Sequence, residues 1–258
     1  MKTLTLAAAL LATTALAGAA QAETVAALVG DDTIAVVDTD AKKVMKTWKV
    51  SGASGKLVGI DVRPADGMLY GVTSDGVIWT IDTASGKATQ KSKLDMPMPS
   101  GMITVDFNPA ADRLRIIGSD GTNLRINVDD GKVTKDGELK FAEGDMHKGK
   151  TPKVVAGAYT NSMKGAKETT LYDIDASGAL LRQVPPNDGV LNTVGMLGMS
   201  VDNAAFDIVS DGQGGNTGWL VTKDTLYRVD LKTGKASETS KISGVSGAVR
   251  DIAVMPKM

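Results

Sequence analysis

Cysteine is absent from this chain of 258 residues, and histidine occurs once. Without thiols, disulfides, thiolate metal sites and covalent haem attachment are excluded, and stability must come from packing and strand pairing. One imidazole excludes the multi-histidine sites of zinc and non-haem iron enzymes. A nucleophilic triad needs a base beside a hydroxyl, and His147 is the sole histidine to supply it. Its setting, Glu143-Gly144-Asp145-Met146-His147-Lys148, predicts a solvated loop side chain instead. Aromatic residues are only 4% of the chain, which leaves few platforms for stacking sugar rings. Charge of neither sign dominates, with 29 Lys and Arg against 30 Asp and Glu, so nucleic acid and bilayer surfaces are disfavoured as partners. No segment approaches the roughly 20 apolar residues of a membrane span.

The first 22 residues read as a secretory leader. Lys2 supplies the basic start, residues 4–16 the apolar stretch, and Ala20-Gln21-Ala22 a small-x-small cleavage site. The expected division is a signal peptide over 1–22 and one domain over 23–258, exported to a bacterial periplasm or, as second choice, secreted.

What the remainder has is a repeated phrase: an apolar-acidic-apolar run ending in proline, then a turn, a strand, Asp-Gly, another strand and a Gly-Lys hairpin. It begins at Gly59-Ile60-Asp61-Val62-Arg63-Pro64, returns at Thr104-Val105-Asp106-Phe107-Asn108-Pro109, and ends the chain as Asp251-Ile252-Ala253-Val254-Met255-Pro256. Repeats of about 40–50 residues holding several strands each are the mark of a β-propeller. The second unit predicts strands over 57–63, 67–73, 77–82 and 87–94, and the third over 103–108, 113–118, 123–127 and 132–139. The fourth is looser, with 154–160, 168–174 and 180–184, and the fifth carries 205–209, 218–222, 225–230 and 235–241. Asp82, Asp129, Asp175 and Asp230 each precede the last hairpin of a unit, where an aspartate side chain caps the turn. The chain ends are the decisive feature. The start offers three strands (25–29, 33–38, 43–50) without the proline-terminated one, and the end offers only that one (252–256). Joining them predicts an all-β propeller of five four-stranded blades, its ring closed by the C-terminal strand pairing with the N-terminal blade.

Several stretches resemble a bacterial family of exported propeller-like proteins known as domain of unknown function 4394. They are Val105-Asp106-Phe107-Asn108-Pro109 with Asp112-Arg113-Leu114-Arg115, Asn123-Leu124-Arg125-Ile126-Asn127, Ala158-Tyr159-Thr160-Asn161, Thr170-Leu171-Tyr172-Asp173-Ile174-Asp175 and Pro185-Pro186-Asn187-Asp188-Gly189. The resemblance implies a secreted β-propeller and brings no activity, cofactor or catalytic residue with it.

Three constellations can carry chemistry. Asp61 and Asp106 occupy the same place in two inner strands, and symmetry can bring such carboxyls to glycosidase spacing, within about 10 Å. Against this, the equivalent position in the closing strand is Ala253, and blade four offers no obvious acid there. Arg113, Arg115 and Arg125 with Asn123, Asn127 and Asn161 are the densest polar set on strands, suited to gripping an anion. The alternative is that these arginines pair with Asp106 and Asp112 between blades. Met96, Met98 and Met102, on a proline-rich connection, are soft ligands suited to Cu(I) if they converge, and fillers of irregular gaps if they do not.

The resulting expectation is a monomeric binding or scaffold module for an unidentified small molecule or protein, working without a cofactor. A hydrolase using central carboxylates and a Cu(I)-binding protein stand as alternatives.

Overall fold

In the computed structural model, which describes residues 23–255, the chain starts with β1 (Thr24–Val29), β2 (Thr33–Asp38) and β3 (Lys43–Lys49). Blade two follows as β4 (Leu57–Val62), β5 (Leu69–Thr73), β6 (Val77–Ile81) and β7 (Ala88–Lys93). Blade three is β8 (Ile103–Asn108), β9 (Arg113–Gly118), β10 (Asn123–Ile126) and β11 (Val133–Lys135). A short β12 (Lys140–Phe141) then leads to blade four: β13 (Val154–Tyr159), β14 (Leu171–Asp175), β15 (Ala179–Gln183) and β16 (Val190–Met196). Blade five is β17 (Ala205–Ser210), β18 (Asn216–Thr222), β19 (Thr225–Val229) and β20 (Ala236–Lys241), and β21 (Val249–Val254) ends the described chain. The expected leader, 1–22, and Pro256 lie outside the described residues.

The closing strand does what the unequal chain ends require. β21 pairs antiparallel with β1, Val25 opposite Val254 and Ala27 opposite Ile252, so blade one is ordered β21-β1-β2-β3. The inner strands then follow one another as β21, β4, β8, β13, β17 and back to β21, each touching the next. This is the expected five-bladed ring, and it leaves no open sheet edge at the point of closure.

Alternation along each strand sends apolar side chains to both faces, and every blade interface therefore has its own core. One cluster joins blades one and two through Leu28, Ile34, Ile60 and Trp79, and another joins five and one through Val25, Trp219 and Ile252. The cluster between blades three and four, around Ile117, Tyr159 and Leu181, is the smallest. Buried polar groups fill what it leaves: Arg115, Asn123, Asp173 and Gln183.

Several local expectations change. The last strand begins at Val249, earlier than residue 252, and β11 is three residues long, although the Asp136 N–H still donates to the Asn123 carbonyl and the Leu139 N–H to the Gly121 carbonyl. Blade four has a fourth strand, β16, placed by the turn Pro185–Gly189, whose 3-10 segment ends on Gly189 at φ +67. The β12 strand adds to that blade in parallel beside β16. Asp82, Asp175 and Asp230 do cap their hairpins, accepting backbone N–H groups two residues on. Asp129 does not: Asn127 accepts the Asp129 N–H, while the Asp129 carboxylate turns to Arg63 and Lys91.

Closure through β21 predicts a cooperative penalty. Ile252 is buried at the seam between blades one and five, so Ile252→Ala should lower unfolding free energy by about 2–5 kcal/mol in urea titrations. Amide exchange should quicken in β1 and β17 as well as β21; quickening confined to β21 would show that the seam does not hold the ring.

Candidate functional site: an axial funnel over a carboxylate ring

The inner strands present one equivalent position to the axis. Register places Asp61 opposite Tyr70, Asp106 opposite Arg115, Ala158 opposite Tyr172, Asp207 opposite Trp219 and Ala253 opposite Ala26. Going round from blade two, the ring thus reads Asp, Asp, Ala, Asp, Ala. The three aspartates are buried, and each has a carboxylate oxygen within 4.8 Å of those of the other two.

Their oxygens are almost fully spent on backbone. Asp61 accepts the Val62 N–H on Oδ1 (2.7 Å) and the Phe107 N–H of blade three on Oδ2 (2.7 Å). Asp106 Oδ1 accepts the Tyr159 N–H of blade four at 3.0 Å. Asp207 accepts its neighbour Ile208 on Oδ1 (2.6 Å) and Val254 of blade one on Oδ2 (2.6 Å). Each N–H belongs to the residue after the ring position, so one donor from every blade is satisfied. Where the preceding blade carries alanine, as before Val62 and Ile208, the blade's own aspartate serves instead. Two residues earlier along β21, Asp251 repeats the device, accepting the Ile60 and Ile252 N–H groups. Gly59 is required beside it, since a Cβ there would collide with Val105 and the Asp251 carboxylate.

Burial, reinforced by the Asp207 charge, holds the Asp61 carboxyl well above the ordinary range, and burial with the Asp61 charge does the same to Asp106. Burial raises Asp207 to about 6 and also raises Asp251. Like charges this close cannot all ionise in a poorly solvated site, so the ring holds shared protons near neutrality. Three convergent carboxylates are also the oxygen-rich set that a hard cation prefers. The five backbone donors nevertheless give the cluster a complete structural role without one.

One residue further along the same strands, a cavity of about 370 Å³ opens. Val62, Ile208 and Val254 form its floor, Pro64 and Gly67 a wall from blade two, and Ser162, Met163 and Lys164 a wall from blade four. Ser210, Asp211 and Gly212 of blade five and Met255 complete it. Asn161 braces this wall, because its N–H donates to Asn216 Oδ1 (2.8 Å) and Asn216 Nδ2 donates back to Asn161 Oδ1 (3.0 Å). The carboxylate ring lies behind the floor, its oxygens engaged, and Asp61 and Asp106 do not line the funnel.

The remaining expected residues are dispersed. Arg115, Asn123 and Arg125 do gather, but around Asp136 and not around Asp106 and Asp112. Arg115 donates to Asn123 (2.7 Å), Asp136 (2.6 Å), Asn187 (2.8 Å) and the Tyr159 hydroxyl (3.1 Å), and Arg125 donates twice to Asp136. The cross-strand pair Arg125–Arg115 needs a shared counter-charge, and Asp136, just beyond β11, supplies it. Asp112 is instead gripped by both prongs of Arg63, at 2.8 and 2.6 Å. Arg113 donates to the carbonyls of Ala111 and Asp112, and Asn127 caps its own turn. Of the methionines, Met96 is exposed, Met98 packs between blades two and three, and Met102 packs on the core of blades four and five. His147 is partly buried rather than free in solvent: its ring stands edge-on to Phe141 at 5.3 Å and Nδ1 is 3.3 Å from the Thr193 hydroxyl, on the outer strand of blade four.

Sequence reasoning passed over Asp207 and the funnel residues. Ala205-Phe206-Asp207-Ile208 repeats the apolar-acidic-apolar phrase, so Asp207 was detectable, although its strand ends without a proline. The funnel walls come from loops with no periodic signal.

A family model described as domain of unknown function (DUF4394) matches residues 33–253, and the chain belongs to that family. Among solved structures it is similar to a structural genomics protein of unknown function from Bacteroides thetaiotaomicron VPI-5482, with a TM-score of 0.55 at 17% identity over 92% of this chain. The chain spans 65% of that protein's length. A protein of unknown function from Bacteroides caccae gives a TM-score of 0.47 at 11% identity, covering 92% of this chain and all of the other. No curated protein matches.

Two measurements test the ring. Asp61→Ala strands the Val62 N–H, the Phe107 N–H falling back on Asp106 of its own blade, and Asp106→Ala strands the Tyr159 N–H, so each should cost about 1–3 kcal/mol in denaturant titrations; unchanged stability in either variant would contradict the assignment. The second concerns pH. Burial lifts Asp173, whose two oxygens have no partner, to about 8, against the opposing pull of Arg115. A carboxyl with a raised folded pKa stabilises fully below its unfolded pKa, about 3.9, and that contribution fades as pH climbs through the folded value. Melting temperature should therefore fall as pH rises from 5.5 to 8.5, and Asp173→Asn should raise it more at pH 8.5 than at pH 5.5. A flat profile for the native chain would sink this reading.

Proposed function

We propose that this chain is an exported, periplasmic binding module that captures a small molecule in the axial funnel without covalent chemistry. The observation carrying the reading is the separation of the cavity from the acids: a funnel of about 370 Å³ sits at the centre of the ring, while the axial carboxylates are committed to backbone behind its floor. A rigid frame with loops from blades two, four and five at one mouth is the usual arrangement for recognition. Hydrolysis would need a carboxyl facing the funnel in a solvated setting, and Asp61 has both oxygens engaged elsewhere. Export rests on the basic, apolar and Ala-Gln-Ala pattern of the first 22 residues.

Ser210 is a partly exposed wall residue, so Ser210→Trp should fill the funnel and leave the ring intact. In a thermal-shift screen of small metabolites, ligands that raise the melting temperature of the native chain should lose that effect with the variant. Ligands that stabilise both proteins equally would place recognition elsewhere.

A further inference from the structure

The funnel lining is uneven in polarity. The N–H groups of Val62, Ile208 and Val254 are all taken by Asp61 and Asp207, and the Val62 and Ile208 side chains are buried in the cores between blades, so the floor offers a ligand no free N–H from these residues and one partly exposed aliphatic side chain, Val254. Met163 and Met255 add thioether walls, and the Met163 methyl leans to about 3.1 Å from where Gly212 would carry a Cβ. Methionine packs adaptably and favours aromatic rings, each contact contributing about 0.3–1.5 kcal/mol. Among the described residues no aromatic side chain lines the funnel, so a ring inside it would be held by sulfur and methyl groups rather than by stacking.

Among the described residues, the charged lining residues are Lys164 and Asp211. Asp211 is turned into its own loop, where Oδ1 accepts the Gln213 N–H (2.7 Å) and the Gly215 N–H (2.8 Å). Lys164 forms no ion pair among the described residues, and the Ser162 hydroxyl stands two residues away on the same wall. We propose that the funnel takes a small aromatic carboxylate, its ring seated over Val254 between Met163 and Met255 and its carboxylate at Lys164 and Ser162. The inference rests on the funnel being a ligand site. Size agrees: an apolar cavity of about 150 Å³ already holds benzene, and the funnel is more than twice that.

Benzoate, benzyl alcohol and benzylammonium titrated into protein carrying ¹³C-methyl methionine test the assignment, with Met163→Leu and Met255→Leu identifying the two signals. Benzoate should shift both signals upfield and saturate at about 1–10 mM. It should bind about fivefold more tightly than benzyl alcohol, with benzylammonium weakest. Lys164→Gln should bring benzoate down to the level of the alcohol, and Lys164→Arg should preserve the preference. Equal binding of benzoate and alcohol would overturn the anionic class and leave the funnel as a ligand site. Absence of any shift, with other compounds still sensitive to Ser210→Trp, would overturn the aromatic class as well. Failure of both experiments would remove the funnel reading itself.

Discussion

Five backbone donors at the axis of the ring have no strand to pair with, and the rest of the centre is arranged around satisfying them. A buried N–H without an acceptor costs about 1–3 kcal/mol, so five together would consume most of a domain's net stability. A carboxylate has two oxygens and can serve its own strand and the next blade at once. Two aspartates would supply four acceptors, one too few, and three is the smallest sufficient number. Placement matters as much as number. The donor of each blade is reached only by the preceding blade's aspartate or its own, so two alanine blades side by side would orphan one N–H. Ala158 and Ala253 lie in blades four and one, which are not neighbours.

The same economy limits the charge. Each further carboxylate would add a buried negative group near Asp61, Asp106 and Asp207, whose carboxyls are already pushed upward by burial. Shared protons relieve that repulsion, and among the described residues no basic side chain hydrogen-bonds to the three. Blades three and four show the opposite solution. There Arg115 is satisfied by Asn123, Asp136, Asn187 and Tyr159, a closed set whose donors are spent inside the protein. A dense polar set in sequence therefore became an internal brace, since its counter-charge lay one hairpin away.

Much of the frame was legible because each blade repeats one phrase and because the chain ends were unequal in complementary ways. Asp61, Asp106 and Ala253 fall at one ring position in both the repeat and the register. What escaped notice did so for local reasons. Strand β16 follows a double proline, which reads as a break although Gly189 restarts pairing. Asp207 sits in a phrase that lacks the terminal proline. The funnel joins Pro64, Lys164 and Ser210, residues 46 to 146 positions apart whose neighbourhood is created only by ring closure.

Ring closure also divides labour along each inner strand. The residue at the ring position deals with backbone valences, and the next residue, one step nearer the mouth, borders the funnel while the Val62 and Ile208 side chains pack between blades. Because Val62, Ile208 and Val254 have surrendered their N–H groups to the carboxylates, specificity in the funnel must come from loop side chains alone. Those loops are free to change without disturbing the five donors, so the frame and the recognition surface can vary independently.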